Sequence, residues 1–415
     1  GEYEIRKKLI ENDKIEAIIV LPRDMFYTTD ISVTLWIMNN NKKSFDKKWY
    51  SEEFLNELKR TAYAEADGNL TYTAKYAPDA VSKYGIDLRM LGGPIGKMAR
   101  KLRLVPDFVL KGIHLKITER SLGFFRKGCD RISYANCHIK GVSIKNKHIK
   151  ASDGFDIPIR IYENAECEGT RTAMIFIHGG AFVGGTLAPY DESLKMLVDK
   201  FAVKVISIDY RLLPENAYPA PYSDCFDVLE YISRSCGEFK IDKDRIFVCG
   251  DSAGGNIAQA CSTKYKGTGK IKAQLLLYPT LNMFGFTDEY YKKGYSDYKF
   301  EPSQKAVSKG VIKQMQMLTH CNFKQIGILS PDEYNNPYIF DASGNVPTFI
   351  TVGALDYLKK DAVAWAHKLS NANVKTKLVV YNGLGHGYLN ATGVFPQAED
   401  VIDEMGKFIY TILEL

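Results

Sequence analysis

Short apolar runs alternate with amphipathic stretches along residues 141–415. The apolar runs are rich in β-formers and predict buried strands at 173–178, 204–209, 246–249, 272–278, 347–352 and 376–381. Helix-compatible stretches occur near 191–201, 225–236, 256–264, 360–371 and 397–413. Strands that alternate with helices indicate an α/β fold, with a mostly parallel sheet and helices on both of its faces.

Residues 1–140 follow a different pattern. Two apolar runs, at 15–22 and 31–38, predict strands. Residues 44–140 are helix-prone, and one helix is expected over 49–64, before a break at Asp67-Gly68. We therefore expect three parts, which are an N-terminal segment over 1–43, a helical region over 44–140 and a catalytic domain over 141–415.

Composition is that of an ordinary globular protein, with 45% hydrophobic and 25% charged residues among 415. No apolar run reaches the length of a membrane span and no signal-like segment opens the chain, so a cytoplasmic location is expected. Eight cysteines are scattered without a C-x-x-C pair, which favours reduced thiols over a zinc site. We expect neither a metal nor a cofactor.

The net charge of +6 is unevenly distributed. Residues 97–150 contain fourteen Lys and Arg against three Asp and Glu, a local excess of 14 − 3 = 11 positive charges. Such a band is most often a solvated helix face. Contact with an anionic lipid surface or with nucleic acid is the alternative.

A pentapeptide with the spacing G-x-S-x-G follows the predicted strand at 246–249. It is Gly250-Asp-Ser-Ala-Gly254, and helix-compatible sequence begins at Asn256. Strand, tight turn and helix is the context in which this pentapeptide forms a nucleophile elbow. Ser252 is therefore the predicted nucleophile, at a helix N-terminus where unpaired N–H groups can hold an anion.

Two consecutive glycines follow the predicted strand at 173–178. Glycine lets backbone N–H groups turn toward a ligand. A donor fixed beside a developing oxyanion can raise the rate by about 10²–10³. We expect the oxyanion hole to consist of the N–H groups of Gly179, Gly180 and Ala253, and we expect His178 to be structural.

A serine hydroxyl needs a neighbouring base. His386 is the best candidate of seven histidines, because it follows the strand at 376–381 in the glycine-rich loop 382–388. In the chain order Ser, acid, His, the acid follows the preceding strand. Asp356 fits that position and would orient the imidazole. Asp361 is the alternative, although a helix should have begun there.

Three charged residues cluster after the predicted strand at 204–209. Asp209, Arg211 and Glu215 could form a small ion-pair network. A carboxylate paired with arginine is a poor base, so this network is expected to support the scaffold.

Six motifs occur in order over about residues 140–415. They are His178-Gly-Gly-Ala-Phe182, Asp209-Tyr-Arg-Leu-Leu-Pro-Glu215, Gly250-Asp-Ser-Ala-Gly-Gly-Asn256, Tyr278-Pro-Thr-Leu281, Asp356-Tyr-Leu358 and His386-Gly-Tyr388. Together they resemble the hormone-sensitive-lipase-like family (bacterial family IV) of serine esterases in the α/β-hydrolase superfamily. The family more often has a third glycine where this chain has Ala181, and we expect the donors to survive because the methyl group is small.

The resemblance implies a serine carboxylesterase or lipase that prefers short to medium acyl chains. It also implies a cap built from N-terminal helices and from an insert at about 282–345. The insert is rich in aromatic side chains that could line an acyl pocket. They are Phe284, Phe286, Tyr290, Tyr291, Tyr295 and Tyr298.

Residues 1–43 resemble a different family. The run Ile5-Arg-Lys-Lys-Leu-Ile-Glu-Asn-Asp-Lys-Ile-Glu-Ala-Ile-Ile-Val-Leu-Pro22, followed by Phe26 and Leu35-Trp-Ile37, is similar to the late catalytic domain of type I restriction DNA adenine methylases. The cofactor loop and the Asn-Pro-Pro-aromatic motif of that family are absent from the sequence. The segment is expected to be a non-catalytic fragment.

These residues predict ester hydrolysis through an acyl-enzyme, with a small-molecule ester as substrate. A homodimer formed through the edge of a late strand and weak contact with a lipid surface are open alternatives. One rival function is a small-molecule-binding homologue that has lost catalysis, which the intact Ser, Asp and His disfavour. The other is a nucleic-acid-associated protein that acts through the N-terminal segment.

Overall fold

The computed structural model describes most of the chain from residue 139 onward and parts of what precedes it. The described residues are 15–20, 34–38, 63–75, 117–130, 137, 139–164, 169–292, 294–299, 305, 309–310, 312–313, 323–393 and 395–414. The chain divides into two compact units, Gly1–Glu52 and Glu53–Leu415. Most of the predicted helical region, including 76–116, lies outside the described residues.

Twelve strands lie among the described residues. They are β1 (Ile15–Val20), β2 (Thr34–Met38), β3 (Tyr63–Asp67), β4 (Leu70–Lys75), β5 (Val142–Lys150), β6 (Asp156–Asn164), β7 (Arg171–Ile177), β8 (Lys204–Ile208), β9 (Ile241–Asp251), β10 (Ala273–Leu277), β11 (Thr348–Gly353) and β12 (Thr376–Tyr381). In the first unit, β1 and β2 pair antiparallel, and both fall on the predicted strands.

The other ten strands form one sheet in the order β3-β4-β12-β11-β10-β9-β7-β8-β6-β5. All pairs from β4 to β8 in this order are parallel, and the pairs that involve β3, β5 and β6 are antiparallel. Every residue of β8, β10 and β11 is buried, as in strands covered on both faces. The predicted α/β fold with a mostly parallel sheet is confirmed.

Seven α-helices lie among the described residues of the second unit. They are α1 (Glu119–Asp130), α2 (Asp191–Phe201), α3 (Ala220–Arg234), α4 (Cys236–Phe239), α5 (Ala253–Lys264), α6 (Lys359–Asn371) and α7 (Pro396–Leu413). Helix α3 begins five residues before the predicted start near 225, because Pro221 is well suited to the first turn of a helix. The other helices predicted within residues 141–415 agree with the structure to within a few residues.

A β-hairpin occupies part of the region that was predicted to be helical. Strands β3 and β4 flank the turn at Gly68, whose φ of +55° favours glycine. The run Leu70-Thr-Tyr-Thr-Ala-Lys75 contains β-formers that suit a strand. Residues 49–62 of the expected helix lie outside the described residues, and the helical prediction is wrong for residues 63–75.

Strand β4 covers the edge of β12, one of the late strands whose edge was an open alternative for a homodimer contact. The two strands pair in parallel from Leu70 opposite Thr376 to Lys75 opposite Tyr381. Lys75 Nζ also lies 2.7 Å from Asp400 and 2.8 Å from Glu404, both on α7. On this side of the sheet the outermost strand is thus β3.

Candidate active site

The nucleophile elbow lies at the junction of β9 and α5. Ser252 is the residue between them and has φ 54° and ψ −116°, a sparsely populated conformation that costs free energy. A Cβ atom on Gly250 would overlap the carbonyl of Gly254, and one on Gly254 would overlap the carbonyl of Ile177. The two glycines are therefore required because strand, turn and helix approach too closely for any side chain.

The structure brings Ser252, His386 and Asp356 together at the carboxyl ends of β9, β11 and β12. His386 Nε2 lies 2.8 Å from Ser252 Oγ, and His386 Nδ1 lies 2.9 Å from Asp356 Oδ2. The Asp356 side chain is fully buried and accepts a further hydrogen bond from the Leu358 N–H at 2.8 Å. Since an ionised carboxylate can only accept, Nδ1 carries the imidazole proton and Nε2 is available to Ser252.

Two tyrosines pack against the imidazole of His386. The Tyr278 ring meets it edge-on with centroids 4.9 Å apart, and the Tyr357 ring is tilted by 50° at 4.8 Å. Tyr278 is fully buried, and Tyr357 is 8% exposed. The sequence pattern gave neither ring a role, and the only signal was that each belongs to a family motif, Tyr278-Pro-Thr-Leu281 or Asp356-Tyr-Leu358.

Asp361, the alternative acid, serves another purpose. It lies in the first turn of α6 and accepts the N–H groups of Leu281 and Asn282 at 3.0 and 2.9 Å. Burial raises its carboxyl pKa to about 6. It therefore anchors the chain that follows β10, and the side chain that touches His386 is Asp356.

The loop after β7 contains two of the three predicted oxyanion donors, Gly179 and Gly180, and the prediction for Gly179 is wrong. The Gly179 N–H donates to Asp251 Oδ1 at 2.6 Å and to the Tyr190 hydroxyl at 3.2 Å. An amide already committed to a buried carboxylate has no free hydrogen for a substrate. No intramolecular partner is found among the described residues for the N–H groups of Gly180, Ala181 and Ala253.

Asp251, the last residue of β9, fixes the start of this loop. Its carboxylate accepts from the Gly179 N–H and, at 3.0 Å, from the Tyr190 hydroxyl. Burial raises the pKa of Asp251 to about 6, and these hydrogen bonds partly oppose the rise. The sequence reasoning counted Asp251 only as a member of the pentapeptide and missed its role as an anchor.

Arg126 on α1 holds the same loop from outside. Its Nε donates to the Val183 carbonyl at 2.6 Å and its Nη2 to the Leu213 carbonyl at 3.2 Å. Both terminal nitrogens also bind the Glu215 carboxylate, at 2.8 and 2.7 Å. One guanidinium therefore joins the N-terminal region to two loops of the catalytic domain.

The predicted ion-pair network does not form as one unit. Arg211 pairs with Asp224 at 2.6 Å and with Asp153 at 2.7 Å, whereas Glu215 pairs with Arg126. Asp209 lies 3.8 Å from the imidazole of His178. The prediction that these residues share a network is wrong, because each side chain points toward a different neighbouring element.

His178 is buried in the loop. Its Nδ1 lies 2.8 Å from the Gly179 carbonyl, and its ring stacks on Tyr210 with centroids 4.4 Å apart. The Tyr210 hydroxyl donates to the His178 carbonyl at 2.8 Å. These contacts agree with a structural role, and the imidazole that hydrogen-bonds Ser252 is that of His386.

The family follows from a match to the catalytic domain. A family model described as alpha/beta hydrolase fold matches residues 174–390, more than half of the chain. The chain belongs to the α/β-hydrolase fold family. The matched span of this α/β hydrolase includes Ser252, Asp356 and His386, together with the loop of Gly180.

Relatives of this α/β hydrolase include proteins named as esterases. It is 30% identical over 275 residues to an arylesterase of Saccharolobus solfataricus, covering 64% of this chain and 83% of the relative. It is 29% identical over 253 residues to the carboxylesterase NlhH of Mycobacterium tuberculosis, covering 59% and 75%. A hyperthermophilic esterase structure from Pyrobaculum calidifontis superposes with a TM-score of 0.59 at 23% identity, covering 77% and 98%, which supports the fold.

A second model, described as N-6 DNA methylase, matches residues 1–67. The match confirms the resemblance predicted for 1–43 and extends beyond it. It runs past the boundary of the first unit at Glu52 and includes β3, which pairs with β4 in the hydrolase sheet. Among the described helices of the whole chain, none has the length and apolarity needed to cross a membrane.

Proposed function

We propose that this α/β hydrolase is a serine carboxylesterase that cleaves small-molecule esters of short to medium acyl chains, with Ser252, His386 and Asp356 as its catalytic triad. The reaction class, carboxylic ester hydrolysis, is confirmed by relatives that carry the names of esterases. The observation that carries the residue assignment is the continuous hydrogen-bonded line from Ser252 Oγ through His386 to Asp356.

The geometry supports a two-step mechanism. His386 Nε2 takes the proton of the Ser252 hydroxyl as the oxygen attacks the ester carbonyl, and the same proton passes to the departing alkoxide. The buried Asp356 carboxylate stabilises the imidazolium that forms between these events. Water, activated by His386, then attacks the acyl-enzyme, releases the acid and restores Ser252.

The oxyanion hole is assigned to the N–H groups of Gly180 and Ala253, with Ala181 in place of Gly179. Gly180 has φ 130° and Ala181 has φ 54°, so the backbone turns sharply after the anchored Gly179. Ala253 is the first residue of α5, where the N–H group has no partner within the helix and is available to bind negative charge. The Ala181 N–H thus replaces the Gly179 N–H, which already binds Asp251.

The cap is assigned to the region around α1 and to the insert between β10 and β11. Two observations support this. The Ile117 N–H, just before α1, donates to Gln325 of the insert at 2.9 Å. Helix α1 also packs on the loop of Gly180, since Phe125 and Arg126 lie beside Gly184. The N-terminal region thus contacts the insert at Ile117 and the loop of the proposed oxyanion donors at Phe125 and Arg126.

Replacement of the nucleophile tests the proposal. Ser252→Ala should lower kcat for p-nitrophenyl butanoate by about 10⁴-fold or more, because the covalent path is lost. Ser233→Ala, which removes a hydroxyl on α3 that bonds only the Glu230 carbonyl, is the matched control and should retain activity. A fluorophosphonate should add one mass increment to the wild type and none to Ser252→Ala. Normal hydrolysis by Ser252→Ala would refute the assignment.

A further inference from the structure

Tyr357 touches two of the three triad residues and has no task in the mechanism above. It directly follows Asp356, and its ring packs on the His386 imidazole with centroids 4.8 Å apart. Burial strongly raises the pKa of its phenol, and the nearby Ser252 side chain partly opposes this rise. The side chain therefore lies beside the reacting atoms and is not merely part of the scaffold.

The other side of Tyr357 faces the insert. Tyr357 and Leu358 form a small apolar cluster with Tyr298 and Ile312, separate from the main core, and Tyr295 packs against it. The Tyr298 hydroxyl donates to the Tyr357 carbonyl at 3.4 Å. Tyr357 thus stands between the triad and the described part of the insert.

Two other aromatic residues of the insert, Tyr290 and Tyr291, pack against different neighbours. Tyr290 stacks on His367 of α6 with centroids 5.7 Å apart, and Tyr291 packs on Tyr338 at 5.7 Å. The lining of an acyl pocket by the six aromatic residues stays a prediction. Among the described insert residues, Tyr295 and Tyr298 are the aromatic ones in the cluster with Tyr357.

The mechanism indicates which part of the ester lies next to the Tyr357 ring. During acylation His386 Nε2 gives its proton to the leaving alkoxide, so the alcohol group of the ester must lie on the imidazole side of Ser252. The carbonyl oxygen lies on the opposite side, toward Gly180 and Ala253. A ring packed on the His386 imidazole therefore borders the space that the alcohol group occupies.

We propose that Tyr357 is a specificity-determining residue that limits the alcohol side of the site, so that the protein favours esters of small or flat alcohols over those of bulky aliphatic alcohols. The inference rests on the proposed esterase function and names the substrate class of that same site. It assigns alcohol selectivity to Tyr357 and leaves acyl selectivity to other residues.

Two ester series test this inference. The alcohol series compares methyl butanoate with cyclohexyl butanoate, followed by acid release at constant pH. The acyl series compares p-nitrophenyl butanoate with p-nitrophenyl octanoate. In Tyr357→Ala, the kcat/KM ratio of cyclohexyl to methyl ester should rise about tenfold or more, because the ring that limits the space for the alcohol group is removed. The octanoate-to-butanoate ratio should change by less than about twofold.

Matched variants separate volume from the hydroxyl. Tyr357→Phe keeps the ring and should leave both ratios within about twofold of the wild type. Tyr357→Leu keeps part of the packing and should shift the alcohol ratio by about threefold, which serves if the Ala variant unfolds below the assay temperature. Thermal unfolding of each variant checks the fold.

Three outcomes would overturn the inference. They are a shift in the acyl ratio with an unchanged alcohol ratio, an equal alcohol shift in the Phe and Ala variants, and no shift in either series. Each of these results is obtained with a working esterase. Failure of the proposed function is distinct from them, because it would leave Ser252→Ala as active as the wild type.

Discussion

The two sides of Ser252 are built in different ways. On the imidazole side, side chains touch one another directly, with His386 2.8 Å from Ser252 and 2.9 Å from Asp356. On the amide side, the proposed oxyanion donors are backbone N–H groups, and Asp251 and Arg126 bind the loop that carries two of them. Loss of a side chain on the imidazole side should therefore stop the reaction. Loss of one on the amide side should only make the position of the N–H groups less accurate.

The largest effect should come from the imidazole side. Asp356→Asn should lower kcat by about 10⁴-fold, because an amide in place of the carboxylate favours the wrong imidazole tautomer and no longer stabilises the imidazolium. The KM for p-nitrophenyl butanoate should change little. Steady-state kinetics measures both parameters.

The matched control for this variant is Asp361→Asn. Asp361 is also a buried aspartate close in sequence, but it binds the Leu281 and Asn282 N–H groups. We expect Asp361→Asn to retain kcat within about tenfold, because it makes no contact with His386. If the two variants lost activity equally, the assignment of Asp356 as the partner of His386 would be wrong.

The same contrast explains how far the sequence could predict the molecule. The strands, the elbow and the three triad positions follow from local patterns, since each triad residue lies within five positions of the end of a predicted strand. The partner of the Gly179 N–H does not, because Asp251 lies 72 positions away and becomes a neighbour only when β7 and β9 pair. The β3–β4 hairpin was also missed, because β4 is stabilised by pairing with β12, some 300 residues later.

The next largest effect concerns the buried anchor of the amide side. Burial raises the pKa of Asp251 to about 6 from 3.8. Between pH 4 and 6 the folded protein therefore keeps a proton that the unfolded chain has released. Stability due to Asp251 should fall as pH rises through this window, by about 3 kcal/mol, and remain lower above pH 6.

Asp251→Asn tests this pH dependence. An asparagine can still accept from the Gly179 N–H but does not ionise. The free energy of unfolding in urea, measured at pH 4, 5, 6 and 7, should therefore decline less steeply in the variant than in the wild type. Identical slopes would show that the carboxyl does not titrate in this window.

A smaller effect is expected from the outer clamp of the amide side. Arg126→Ala removes the donors to the Val183 and Leu213 carbonyls. The loop should then hold its N–H groups less accurately, and kcat should fall about tenfold with KM nearly unchanged. Inhibition by an alkyl boronic acid, which mimics the tetrahedral intermediate, should weaken by a similar factor. A merely structural role would lower thermal stability and leave the inhibition constant as it is.

Glu215→Gln is the matched control for the clamp. The Glu215 carboxylate is half-exposed, so its ion pair with Arg126 contributes little free energy, while the carbonyl contacts of Arg126 remain. We expect kcat to change by less than about threefold. An effect as large as that of Arg126→Ala would mean that the ion pair, and not the carbonyl contacts, positions the loop.

The smallest effect should come from Ala181, the residue at which the chain departs from a third glycine. Its φ of 54° lies in the left-handed region, which costs a non-glycine residue about 1–2 kcal/mol. Ala181→Gly relieves this strain but increases the freedom of the unfolded chain, which offsets roughly 0.5–1 kcal/mol of the gain. The net stabilisation should be about 0.5 kcal/mol, detectable as a slightly higher midpoint of urea unfolding. Because the substitution keeps the Ala181 N–H, kcat should stay within about twofold. A tenfold loss would instead mean that the methyl group fixes the direction of this N–H, and the amide side would then depend on a side chain after all.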